Sequence, residues 1–173
     1  MGHHINALVG SRQALANLST RFGLPNPTEL TPSLLILPLG EVRLDALAMS
    51  TEDSIQGFTY LTPAIAAEIG RTLEGEPALY IETDYFGGMG GQSAAFFRNN
   101  VIEWSEAESN LDKAVERSWL SRLLRERPKP AKSPISQGLE RLGVVSTPDK
   151  DQFDTVGLGH FRSLEVMGIG DFD

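Results

Sequence analysis

Cysteine is absent from this chain, and its absence removes disulfides, thiolate nucleophiles and every cysteine-based metal site. Histidine is scarce: His3, His4 and His160 are the only three. Neighbouring residues on a strand face opposite ways, so the three do not make an obvious cluster, and neither a metal site nor a cofactor is expected. Long apolar runs are missing as well. Ser33 to Leu39 falls far short of the roughly 20 residues that span a bilayer. Met1 to Val9 has neither the basic start nor the long apolar stretch of a secretory signal. The expectation is therefore a cytoplasmic protein with no membrane partner.

Positive charge is the sign in short supply. The chain holds 15 Lys and Arg against 23 Asp and Glu, a net charge of −8, with a pI near 4.9. Nucleic-acid binding relies on Lys and Arg to neutralise phosphates, so no nucleic-acid partner is expected. A basic protein, for example a toxin, is the more natural complement. The charge is uneven. Leu111 to Lys132 carries seven basic residues against three acids, a local balance of +4, which leaves −12 for the remainder of the −8 chain. Nothing in the sequence specifies an oligomeric state.

What is present is enough for one core: 173 residues, 40% of them apolar, fit one domain. The periodicity reads as an α+β protein, with an antiparallel meander sheet and several flanking helices. Ile5 to Val9 is a strand candidate. Ser11 then caps a helix bearing Ala14, Leu15, Leu18 and Phe22, which Gly23 stops. Leu24 to Pro32 reads as a loop and Leu34 to Leu39 as a buried strand, while Glu41 to Met49 fits either a strand or a short helix. Gln56 to Leu61 reads as a further strand. Thr62-Pro63 opens a helix with Ile65, Ile69 and Leu73 on one face, ended by Gly75.

Ala78 to Phe86, Gln92 to Arg98 and Val101 to Trp104 are rich in strand formers. The five residues Gly87 to Gly91 are expected to turn between the first two, and Asn99-Asn100 between the last two, since Asn tolerates positive φ. Ser105 and Glu108 resemble a capping box ahead of Leu111, Val115, Trp119 and Leu123, which predicts a long amphipathic helix to about Arg125. A short Pro/Lys linker follows near 128–133. Ser133-Pro134 starts another helix with Ile135, Leu139 and Leu142, stopped by Gly143. The tail, 149–173, is apolar enough to dock on the body.

The segment with the most unusual chemistry is Glu82 to Ser93, where four glycines follow a strand bearing two carboxylates. A phosphate-cradling loop wants a helix directly after its glycines, and Ser93 to Phe97 reads as strand instead. Glu82 and Asp84 fall on one strand face by period-2 geometry, the arrangement a general acid/base pair would use. His160, in Asp154 to Arg162, is a candidate third member. Tyr85, Gly87, Gly88, Gly90, Gly91 and Gln92 are the candidate residues for touching a ligand or partner.

Tyr80 to Ala95, with its Tyr-Phe-Gly-Gly-x-Gly-x-Gln core, Pro134 to Val144, and Asp151 to His160, with Phe-Asp-x-x-Gly-Leu-Gly, resemble a family of uncharacterised bacterial proteins. The resemblance covers the middle and end of the chain and implies no catalytic residue. In size and charge alone, the chain is similar to immunity proteins of toxin systems. Two functions therefore compete. One is an immunity-like or antitoxin-like binding module that occludes a basic partner. The other is a small hydrolase or transferase working at the glycine turn, in which Glu82→Gln and Asp84→Asn would abolish turnover and leave the fold intact.

Overall fold

The structure, a computed structural model, describes residues 3–47, 53–86, 89–109 and 132–161. Among these residues, six strands form one sheet: β1 (His3–Gly10), β2 (Thr28–Glu29), β3 (Leu35–Pro38), β4 (Ala78–Phe86), β5 (Met89–Arg98) and β6 (Val101–Ser109). Their order across the sheet is β2-β3-β1-β4-β5-β6, and every pairing is antiparallel. Helices α1 (Arg12–Phe22), α2 (Glu41–Leu47) and α3 (Pro63–Thr72) precede β4. Helices α4 (Pro134–Arg141) and α5 (Gln152–Thr155) and a 3-10 turn, Leu158–His160, follow β6. The fold is α+β, with a β4-β5-β6 meander as the sequence predicts.

Both faces of the sheet are covered, which explains why the central strands are apolar runs rather than simple alternations. Leu8, Tyr80, Ala95 and Phe97 face one core with Leu15 and Leu18 of α1 and Ile65 and Ile69 of α3. Ile5, Val9, Leu79, Ile81 and Phe96 face a second core with Ile135 and Leu139 of α4, Val156 and Leu158. Val156 and Leu158, from the chain that follows α4, are buried in this second core. Ser136 of α4 also donates to the Asp151 carboxylate at 3.2 Å.

Local signals place the helix ends. The hydroxyls of Ser11, Thr62 and Ser133 accept from the backbone N–H three residues on, and Gly23 takes the left-handed conformation at φ 62°. The β5-β6 hairpin turns at Asn99 and Asn100, with φ of 50° and 68°, the left-handed pair that matches strand twist. Residues 41–47 of the ambiguous segment are helical.

Three local expectations are corrected. Gln56 to Leu61 is a turn and loop, not a strand; its backbone donors are taken by a side chain, described below. Ser105 and Glu108 do not cap a helix, because Ser105 to Ser109 continues β6 alongside β5, and the pairing of five successive residues outweighs a local capping pattern. The glycine turn is tighter than five residues, since Phe86 pairs with Met89 and β5 already contains Gly90 and Gly91. Residues 111–131, including Trp119, and the chain beyond Phe161 lie outside the described residues.

Candidate functional site

Alternation along the strands sorts the polar residues onto one end of the sheet face that carries the first core. His4 and Asn6 on β1 lie opposite Asp84 and Glu82 on β4, and Glu82 and Asp84 lie opposite Ser93 and Gly91 on β5. Ser93 and Gly91 in turn pair with Ala107 and Ser109 on β6. The apolar face gives way here to small and polar side chains. The loop around Gln56 to Tyr60 forms one wall above them, and the open cleft between has a volume of about 640 Å³, within the usual range for small-molecule sites.

Glu82 has a defined task at this wall. Its side chain is only 6% exposed. One carboxylate oxygen accepts from Thr59 N–H at 2.6 Å, and the other from Tyr60 N–H and Leu61 N–H, both at 3.0 Å. The Tyr80 hydroxyl donates to that second oxygen at 2.9 Å. Three consecutive backbone donors that a strand would have spent on a neighbour are spent on one carboxylate instead. This is why Gln56 to Leu61, with its strand-like composition, forms a loop. Ser93 adds a further tether by donating its hydroxyl to the Gly57 carbonyl.

Burial, and then the adjacent Glu82 carboxylate, hold the Tyr80 phenol well above its ordinary value. The consequence for stability has a definite sign. Above about pH 10 the unfolded chain releases this proton while the folded chain keeps it, so folding binds the extra proton and stability falls as pH rises. We predict that the melting temperature declines from pH 9 to pH 11 in the native protein. Tyr80→Phe should flatten that decline; an equally steep loss in the variant would count against the assignment.

Asp84 is differently placed. It is exposed, its carboxylate lies 3.6 Å from Nδ1 of His4, and the two form a pair at the cleft mouth. Glu82 and Asp84 therefore share a face, as their spacing predicts, but one is enclosed by four donors and the other meets solvent. His160 is not brought to them: it is exposed on the 3-10 turn whose Leu158 is buried in the second core, on the opposite side of the sheet. Tyr85 receives a hydrogen bond from Gln92 Nε2 at 3.3 Å. Gly87 and Gly88 lie outside the described residues.

Gly90 and Gly91 serve close backbone approach. At Gly90 φ is 145°, and a Cβ there would overlap the Asp84 carbonyl; glycine is the residue that accepts both conditions. Sequence reasoning missed His4 and Asn6 as neighbours of the acidic pair. No local signal could have found them, because the β1-β4 register joins residues nearly 80 positions apart.

Among the described residues, no group of three or more His, Asp or Glu side chains is arranged to hold a metal ion, and no helix is long and apolar enough to cross a membrane. No protein-family model, no curated protein and no solved structure matches the chain.

Proposed function

We propose that this protein is a binding module that captures a basic protein partner, in the manner of an immunity or antitoxin-like protein, along the acidic end of its sheet. The observation that carries this reading is strand β6. It ends the sheet order, and among the described residues it has a strand partner on one side only, β5. Its nine residues include Glu103, Glu106 and Glu108 and no Lys or Arg. An open strand edge recognises an extended segment through main-chain hydrogen bonds, and the carboxylates would select a basic one and speed its approach. The whole-chain excess of acids points the same way.

The competing enzyme reading asks Glu82 to act as a general acid or base. Its carboxylate is already engaged by four donors, which supports assigning it to the fold instead.

The test is affinity capture of a partner at low and high salt, repeated with the double variant Glu103→Lys, Glu106→Lys. Exposed charges are screened beyond about 8 Å at physiological ionic strength, so retention should fall as salt rises, and charge reversal should weaken binding by about tenfold or more. Capture that is indifferent to salt and to the reversal would remove the acidic edge from the mechanism.

A further inference from the structure

We infer that the partner's segment adds to β6 as a further strand and anchors an aliphatic side chain in the groove between α3 and the β5-β6 turn. This deepens the binding reading above and rests on it for the partner's basic character. The two edges of the sheet are built differently. At one, β2 is two residues long and the chain around it carries Pro25, Pro27 and Pro32; short strands and prolines are common ways to blunt a sheet edge. At the other, β6 runs for nine residues with no proline and no lysine. Alternate residues along it turn their N–H and C=O groups away from β5. From Trp104 to Ser109 it pairs with Phe96 to Gly91 without a shift in register, so its outer side is a regular template for main chain.

At its start this edge runs into a groove of about 420 Å³, lined by Ala66, Ala67, Arg71, Asn100, Val101 and Ile102. Helix α3 is held close to the turn at Gly70, where a Cβ would overlap the Asn100 carbonyl oxygen. One helical turn earlier the two small alanines leave room. Arg71 is paired with Glu68, so the remaining lining is mainly aliphatic. Ile102 packs against the first core at the groove floor, while Val101 is 60% exposed and would gain by being covered.

Alternation then sets the pattern of the occupant, because cross-strand neighbours share a face. Trp104 and Glu106 lie opposite Phe96 and Ala94, on the face of the second core, and Ser105 and Ala107 lie opposite Ala95 and Ser93, on the face of the first. A partner residue beside the exposed Glu106 therefore points to the second-core face, where a Lys or Arg is favoured. Its neighbours in sequence point to the first-core face, on which Ile102 and the groove lie. The complementary segment is extended and alternates aliphatic with basic residues. A helix would leave the outward N–H and C=O groups of β6 unpaired.

The test titrates the full chain with a peptide of alternating valine and lysine as long as β6, and reads binding by calorimetry and amide NMR. Controls are an alternating threonine-lysine peptide and two forms of the first peptide, one methylated on the valine nitrogens and one on the lysine nitrogens. The expected result is saturable binding with shifts at residues 66–71 and 101–109, abolished by one methylation and spared by the other. The threonine-lysine peptide should bind about tenfold more weakly. Ala67→Gln, at an exposed helix position, fills the groove; it should weaken the valine-lysine peptide by a similar factor and leave the threonine-lysine peptide unchanged. Two methylated forms that bind like the parent would overturn strand addition, and equal binding of valine and threonine peptides would overturn the anchor. Slow exchange of the outward β6 amides in dilute free protein would show the edge already covered by this chain, and protection that grows with concentration would make a second copy the occupant; either overturns the proposal. No peptide binding, with capture still sensitive to salt and to Glu103→Lys, Glu106→Lys, would overturn the anchored strand alone. Peptide binding indifferent to salt and to that double variant would instead remove the acidic-edge reading and leave the strand site standing.

Discussion

Glu82→Ala should cost the fold roughly 2–6 kcal/mol. The substitution strands four donors at once: the Thr59, Tyr60 and Leu61 amides and the Tyr80 hydroxyl. Thr59 is exposed and Tyr60 partly so, and water can satisfy those two; Leu61 and Tyr80 are fully buried. Each buried donor left unsatisfied costs about 1–3 kcal/mol, which sets the range. Glu82→Gln is informative beside it. Its one remaining oxygen can keep the three bonds made by Oε1, but its amide nitrogen then faces the Thr59 donor, so the loss should be smaller without vanishing. Chemical denaturation of the two variants gives the order, and amide exchange should show residues 57–61 opening before the strands. A Glu82→Gln protein as stable as the native one would return Glu82 to the list of groups free for chemistry. By contrast, Asp84→Asn should leave stability nearly unchanged, because an exposed pair with His4 contributes little.

Phe96→Ala is expected to destabilise by about 3–5 kcal/mol. The ring is fully buried in the centre of the second core, and the Arg98 guanidinium lies over it, 4.9 Å from its centroid. Removing it opens a cavity between β5 and the helices that follow the meander, where neither sheet nor α4 can easily collapse inward. Because β4 and β5 supply residues to both cores, the loss should appear in one cooperative transition that lowers the melting temperature of the whole protein. A biphasic melt in which only α4 and α5 are lost would show the second layer to be a separable unit.

The two predictions together test how the cleft is held. Its floor is the polar end of strands whose other residues form the cores, and its wall is a loop held to that floor by one carboxylate and one serine. Damage to Phe96 should therefore act on the cleft through global stability, whereas damage to Glu82 should act first on the wall.

Features determined by the sequence alone are those that need only a few adjacent residues. Ser11, Thr62-Pro63 and Ser133-Pro134 start helices because a hydroxyl reaches an amide three residues away, and Asn99-Asn100 turns because both residues tolerate positive φ. The period of Ile65, Ile69 and Leu73 likewise marks one buried face, and the α+β class follows from summing such signals. Only the tertiary structure decided that Gln56 to Leu61 would be a loop, since its three amides find the carboxylate of Glu82 more than twenty residues on. It also decided that Ser105 to Ser109 would extend a strand, because β5 was there to pair with it. Asn6 and Glu82, and His4 and Asp84, meet through a register between strands far apart in the chain. Backbone hydrogen-bonding groups must be satisfied wherever they are buried, and which distant partner satisfies them is settled when the sheet assembles, so the cleft exists only in the folded molecule.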